Sequence, residues 1–112
     1  MSKTELFDHI LHIVAEETEL PAGRILSKRR DTETVDARYL LVHFLSDTGF
    51  SPSYIAERIG FTERAVQKIQ THFDERLSFQ KLLRINFEHI SNKLRTTSEL
   101  SAKALRTNFF CP

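Results

Sequence analysis

The chain is poor in the residues that mark turns and cross-links. It has no tryptophan, three glycines, three prolines and one cysteine in 112 residues. Because glycine and proline are the strongest breakers of regular structure, so few of them favour a mainly helical protein with short loops. Cys111 has no second cysteine to pair with and no metal ligand nearby, which favours a reducing compartment.

Long apolar runs and a strong net charge are also missing. No run approaches the roughly 18 apolar residues of a membrane span, and the N-terminus lacks the features of a signal peptide, so we expect a cytoplasmic protein without a membrane partner. The net charge is only +1, but residues 1–22 carry one lysine and five acids, whereas residues 75–112 carry seven basic and three acidic residues. A nucleic-acid-binding protein needs such a basic face rather than a basic total.

The segment from Ser51 to Phe73 has the pattern of a helix-turn-helix. Ser51 fits the N-cap of a first helix, Gly60 fits its C-terminal end, and Thr62 fits the N-cap of a second helix. The small Ala56 permits a close approach of the two helices. The polar face of the second helix consists of Glu63, Arg64, Gln67, Lys68 and Thr71. In DNA-binding proteins this face enters the major groove, although an ordinary helical hairpin has the same pattern.

A run of seven residues, 24–30, contains four basic side chains. Ile25 and Leu26 are expected to anchor it in the core, which would make it either a phosphate clamp with an arginine in the minor groove or a solvated charged loop. Arg38 lies near the start of the next helix, on a side that we expect to be more exposed. There it would hold a phosphate or form a surface ion pair.

Apolar periodicity predicts further helices over residues 4–17, 33–47 and 78–95, with a short last helix over 98–108 and a tail over 108–112. The apolar stripe of the 78–95 helix consists of Phe79, Leu82, Leu83, Phe87, Ile90 and Leu94. Such a stripe is not left in water. We favour its folding back on the two preceding long helices, with pairing in a homodimer through residues 78–95 as the alternative.

The order of these features resembles the C-terminal DNA-binding domain, domain IV, of the bacterial replication initiator DnaA, a Trp repressor/replication initiator-like helix-turn-helix. The residues that carry the resemblance are IVAEETELPAGRILSKRR, TVDARYLLVHFL, SYIAERIG and AVQKI, within Ile13–Phe73. The resemblance implies that Arg30 enters the minor groove and that Arg38 touches phosphate. We expect a helix-turn-helix domain similar to this family over residues 1–74. Residues 75–112 are expected to form a helical extension packed on the same core, and the part of the chain after Phe73 falls outside the resemblance.

The chain departs from this family at the start of the recognition helix. The family has Gly-Gly-Arg-Asp-His-Thr-Thr where this sequence has Gly60-Phe61-Thr62-Glu63-Arg64-Ala65, and none of the base-reading side chains is retained. The resemblance therefore implies a docking mode and not a target sequence. No Gly-x-x-x-x-Gly-Lys-Ser/Thr run occurs, so we expect no nucleotide binding and no ATPase activity.

The sequence thus predicts an all-α helical bundle with a helix-turn-helix and an added C-terminal helix. The leading functional hypothesis is sequence-specific binding of double-stranded DNA in replication control or transcription regulation. The alternative is a protein–protein adaptor that reuses the fold. An enzyme is not expected, because no nucleophile pairs with a base, and no cofactor or metal is expected, because His9 and His12 have no third ligand. The predicted DNA-binding residues are Lys28, Arg29, Arg30, Arg38, Thr62, Glu63, Arg64, Gln67 and Lys68.

Overall fold

The computed structural model describes the backbone of residues 2–106 and the side chains of residues 2–95. This part of the chain consists of helices without a strand, which confirms the predicted all-α class. The helices are α1 (Lys3–Thr18), α2 (Ala22–Ile25), α3 (Thr32–Thr48), α4 (Pro52–Ile59), α5 (Glu63–Phe79) and α6 (Lys81–Arg106). No helix of this part combines the length and the apolarity that crossing a membrane requires.

Local capping residues set most of the helix boundaries. Asp31, Ser51 and Thr62 accept hydrogen bonds from the backbone of the first turns of α3, α4 and α5. Gly49 and Gly60 end α3 and α4 with φ values of 114° and 77°, which only glycine adopts without strain. The basic run was predicted as a loop throughout, but its first residues form the short α2.

A single hydrophobic core joins the helices. It combines fully buried side chains of α1, α3, α4 and α5 with two of α6, Leu83 and Ile90. On one side of this core, His43 of α3 stacks on Phe73 of α5 with ring centroids 4.1 Å apart, and Phe87 of α6 lies edge-on 5.4 Å away. The C-terminal helix is therefore packed on the same core as the helix-turn-helix.

The C-terminal helices differ from the sequence prediction in their bounds. α5 continues beyond Phe73 to Phe79, and α6 runs to Arg106, so the separate helix predicted for residues 98–108 is wrong. The physical reason is that no glycine or proline interrupts residues 81–106. The predicted tail, with Cys111, lies outside the described residues, as do the side chains predicted to form the face of that last helix.

The apolar stripe of residues 78–95 is buried only in part. Leu83 and Ile90 are buried, but Phe79 and Leu82 are 78% and 63% exposed, so the prediction was wrong for these two. The cause is the break at Gln80, whose extended φ of −110° ends α5 and gives α6 a new direction. Arg84 donates hydrogen bonds of 3.0 and 2.8 Å to the carbonyls of Leu77 and Ser78 and so covers the end of α5.

α6 folds back on α1, α3 and α5, as we favoured from the sequence. Lys93 Nζ lies 2.6 Å from Glu17 Oε2 and 3.2 Å from Glu16 Oε1 on α1. His89 Nδ1 lies 3.4 Å from the other oxygen of Glu17. The hydrogen bond to Lys93 lowers the pKa of Glu17, and the same bond raises the pKa of Lys93. We call this contact of His89 and Lys93 on α6 with Glu16 and Glu17 on α1 the α1–α6 seam.

Candidate nucleic-acid interface

The turn between α4 and α5 has the construction expected of a helix-turn-helix. The amides of Gly60 and Phe61 both donate to the carbonyl of Ala56, at 3.0 and 3.1 Å. Thr62 Oγ1 then accepts a hydrogen bond of 3.0 Å from the amide of Ala65 and starts α5. The hydroxyl of Thr62, predicted to contact DNA, is therefore engaged in capping. This hydrogen bond with the amide of Ala65 holds the first turn of α5 in place.

α5 presents a polar face that is clearly separated from its buried side. Val66, Ile69 and Phe73 are buried in the core. The four side chains predicted to contact bases are all exposed: Glu63, Arg64, Gln67 and Lys68. Gln67 Nε2 lies 3.5 Å from Glu63 Oε2, and Glu63 stands in the first turn, where a carboxylate is stabilised by the helix dipole.

The segment that follows α2, residues 27–30, is held from within by Arg38; we call these four residues the basic loop. Arg38 Nε donates to the carbonyl of Ile25 at 3.2 Å, and its Nη2 donates to the carbonyls of Ser27 at 2.5 Å and Arg29 at 3.1 Å. Burial lowers the pKa of Arg38, although the nearby Asp31 opposes this effect.

The expectation that Arg38 lies on an exposed side was therefore wrong, because only 6% of the residue is exposed. Its three hydrogen bonds to backbone carbonyls replace the water that the guanidinium loses on burial. In the free protein Arg38 shapes the basic loop instead of standing at the surface. The predicted anchor is confirmed at Ile25, which is fully buried, while Leu26 is half-buried.

Asp31 compensates part of the positive charge around the loop. Arg24 Nη2 lies 2.8 Å from Asp31 Oδ2, and Arg29 Nε lies 2.9 Å from its Oδ1. Thr34 also donates to Asp31 through its hydroxyl. The bond to Arg24 contributes most to lowering the pKa of Asp31 far below its ordinary range. Sequence reasoning missed this role, although an aspartate directly before a helical pattern is a common N-cap signal.

Lys28 connects the basic loop to the turn of the helix-turn-helix. Its Nζ donates a hydrogen bond of 2.5 Å to the carbonyl of Gly60 and lies 3.7 Å from the ring centroid of Phe61. Arg38 Cζ lies 4.9 Å from the same centroid. Sequence reasoning also missed Phe61, because no local spacing relates this turn residue to Lys28, which lies 33 positions earlier in the chain.

Exposed basic side chains without a charged or hydrogen-bonding partner occur both in the basic loop and on α5. Arg30, Arg64 and Lys68 are exposed. Among the residues whose side chains are described, the side chains of these three make no hydrogen bond, ion pair or cation–π contact. The carboxylates of Asp31 and Glu33 pair with Arg24 and Arg29. Among the described side chains, Lys28, Arg30 and Arg38 form no ion pair. The arrangement suits a polyanion, because the excess positive charge is held on a supported backbone.

Within the described part of the chain, no group of three histidine, cysteine, aspartate or glutamate side chains could hold a metal ion. His12 Nε2 instead lies 3.9 Å from Glu16 on the surface of α1, and His9 is half-buried. No protein-family model matches the sequence, and no curated protein matches it significantly. The fold and the basic loop therefore stand as the features from which a function is inferred.

Proposed function

We propose that the chain binds double-stranded DNA through the basic loop and the exposed face of α5, in replication control or transcription regulation and without ATPase activity. The observation that carries this proposal is the hydrogen bond of 2.5 Å between Lys28 Nζ and the Gly60 carbonyl. It brings the basic loop to the beginning of the second helix of a helix-turn-helix. A phosphate-binding element thus adjoins a helix of the kind that enters the major groove.

Each element has side chains suited to its part of the duplex. We assign Arg30 to phosphate or to the adjacent minor groove, since its side chain is exposed and forms no hydrogen bond, ion pair or cation–π contact within the described residues. Arg64, Gln67 and Lys68 carry donors for base edges, and Glu63 carries an acceptor for the amino group of cytosine. Arg29 forms an ion pair with Asp31 and therefore contributes less to phosphate binding. Arg38 supports the loop from beneath.

A salt titration with random-sequence duplex DNA tests the proposal. Each phosphate contact should contribute about −0.9 to the slope of log K against log salt. We expect a slope of several units and binding at micromolar protein. Binding that is absent at low salt, or that does not weaken with salt, would contradict the proposal.

Specificity is tested next, by selecting bound sequences from a random library. Replacing Arg64 with alanine should relax the preference at one position of the selected site, since a bidentate contact discriminates by about 1–3 kcal/mol. Thr71→Ala is the matched control, because the Thr71 hydroxyl already donates to the Gln67 carbonyl at 2.9 Å. An unchanged preference in single alanine variants of all four exposed residues would place specificity elsewhere.

A protein–protein adaptor is the second candidate, and one specific observation favours it. Phe79, Leu82 and Ile85 remain 78%, 63% and 40% exposed around the junction of α5 and α6. Exposed clusters of large apolar side chains are enriched at interaction sites. The two hypotheses differ in the salt titration, because an adaptor without a DNA site would show no salt-dependent binding of duplex DNA. Leu82→Glu should leave binding unchanged if DNA is the partner.

A further inference from the structure

Phe61 occupies the point at which the two halves of the candidate interface meet. It belongs to the turn between α4 and α5, and it is half-buried against the core. Lys28 of the basic loop lies 3.7 Å from its ring centroid. Arg38, which donates to two carbonyls of that loop and to that of Ile25, lies 4.9 Å from the centroid. A single ring therefore contacts both the tip and the internal support of the loop.

The partners of these two cations are electrically neutral. Lys28 rests on the carbonyl of Gly60 and on an aromatic face, and Arg38 rests on carbonyls and the same face. Carbonyl oxygens and ring faces attract cations without cancelling their charge. Lys28 therefore keeps its contribution to the positive potential of the loop, unlike Arg24 and Arg29, which contact carboxylates.

We propose that Phe61 is a positioning residue, which locks the basic loop to the turn of the helix-turn-helix so that loop and α5 meet duplex DNA as one rigid unit. This inference rests on the proposed function and adds a role that neither element has alone. Two contact elements that are already fixed relative to each other bind more tightly, because no conformational entropy of the loop is lost on association. Lys28 then acts as a strut, by which we mean a side chain that holds the basic loop against the turn, and not as a phosphate ligand.

The test begins with the free, full-length chain and an NMR signal of Lys28. Protons above an aromatic ring are shielded, so the Hε protons of Lys28 should resonate upfield of those of other lysines. Phe61→Leu should abolish the shift, and Phe61→Tyr should retain it. The matched control is Tyr54→Leu, since Tyr54 is also half-buried and carries Lys3 at 4.4 Å and Arg58 at 5.9 Å but does not touch the basic loop.

The second arm uses a duplex selected from the random library. Phe61→Leu should weaken binding about tenfold, the factor to which two surface cation–π contacts correspond. Its salt slope should stay unchanged because the number of phosphate contacts is the same. Phe61→Tyr and Tyr54→Leu should bind like the parent. The upfield signal of Lys28 should persist in the parent complex.

Three results would overturn the proposal: wild-type affinity in Phe61→Leu, a slope reduced by about one unit in that variant, or loss of the Lys28 shift when DNA is added. If Phe61→Leu does not fold, Lys28→Met decides, because a strut leaves the slope unchanged and a phosphate ligand lowers it by about one. If the parent protein shows the upfield Lys28 signal but binds no DNA, the positioning role of Phe61 is supported and the proposed function is overturned.

Discussion

Basic side chains are used in opposite ways at two places in this molecule, the basic loop and the α1–α6 seam. At the seam, Lys93 contacts the carboxylates of Glu16 and Glu17, so its charge is neutralised where α6 meets α1. At the loop, Lys28 contacts a carbonyl and a ring, and its charge persists. Lys93 therefore joins two helices as a neutralised ion pair, whereas the positive potential of Lys28 remains available to a ligand.

The two regions also differ in what lies beneath the charges. On α6, Ile90 stands between the seam residues His89 and Lys93 in the chain and, like Leu83, is buried in the core, where it adds apolar area. Beneath the basic loop lies Arg38, which satisfies backbone carbonyls and adds little apolar burial. We therefore expect the seam to determine stability and the loop to determine affinity. The following predictions test that separation.

The largest expected effect is on stability, at Ile90. Ile90→Ala should lower the free energy of unfolding by about 2–5 kcal/mol, because a fully buried side chain leaves a cavity. Urea denaturation followed by circular dichroism measures it. The matched control is Ile85→Ala on the same helix, where the side chain is 40% exposed and the cost should stay near 0.5 kcal/mol or less, roughly that of a surface change. DNA affinity of folded Ile90→Ala should equal that of the parent.

Arg38 should affect both properties. Arg38→Met removes the partners of three carbonyls and should cost about 1–3 kcal/mol of stability. It should also weaken DNA binding more than tenfold, which is about 1.4 kcal/mol, since the loop loses its support. Arg38→Lys is the control for charge alone, and it should not restore affinity because one ammonium cannot replace the planar fork. Full DNA affinity in Arg38→Met would show that the basic loop keeps its conformation without Arg38.

Arg30 and Arg29 provide a sharper comparison within the loop. Arg30→Ala should reduce the salt slope by about one unit and weaken binding by about 1 kcal/mol, with no loss of stability. Arg29→Ala should change the slope less, because Arg29 lies 2.9 Å from Asp31. Parallel titrations of the two variants measure the difference. Equal slopes would mean that the ion pair with Asp31 opens on binding.

The smallest expected effect concerns how stability depends on pH. It involves His43 of α3, whose ring contacts Phe87 of α6. Burial lowers the pKa of His43 from 6.5, although Asp47 and Asp74 oppose the shift. Below about pH 6.5 the unfolded chain therefore binds this proton more readily than the folded protein, and stability falls with the pH. His43→Phe should lose less free energy of unfolding than the parent between about pH 7.5 and pH 5.5. An identical loss in the two proteins would assign the dependence to other groups.

Sequence patterns located the helix-turn-helix well and the C-terminal part less well. Ser51, Gly60 and Thr62 were assigned correctly because caps depend on neighbours within four residues. Phe79 and Leu82 were misassigned because a continuous apolar pattern does not reveal a break such as that at Gln80. The exposed face of α5 followed from its periodicity, whereas the environment of Arg38 did not.

Most of the helices, the caps of α4 and α5 and the positions of the charged runs could be predicted from the sequence, because they depend on interactions between near neighbours in the chain. Which charged side chains lack a partner depended instead on how the helices pack. Arg38 is buried beneath carbonyls of residues up to 13 positions away, and Lys28 reaches Gly60, 32 positions away. These partners meet only after the helices pack, and no local pattern encodes such a meeting. The same packing leaves Arg30 exposed in the basic loop, which Lys28 joins to the turn before α5, and so it created the candidate interface.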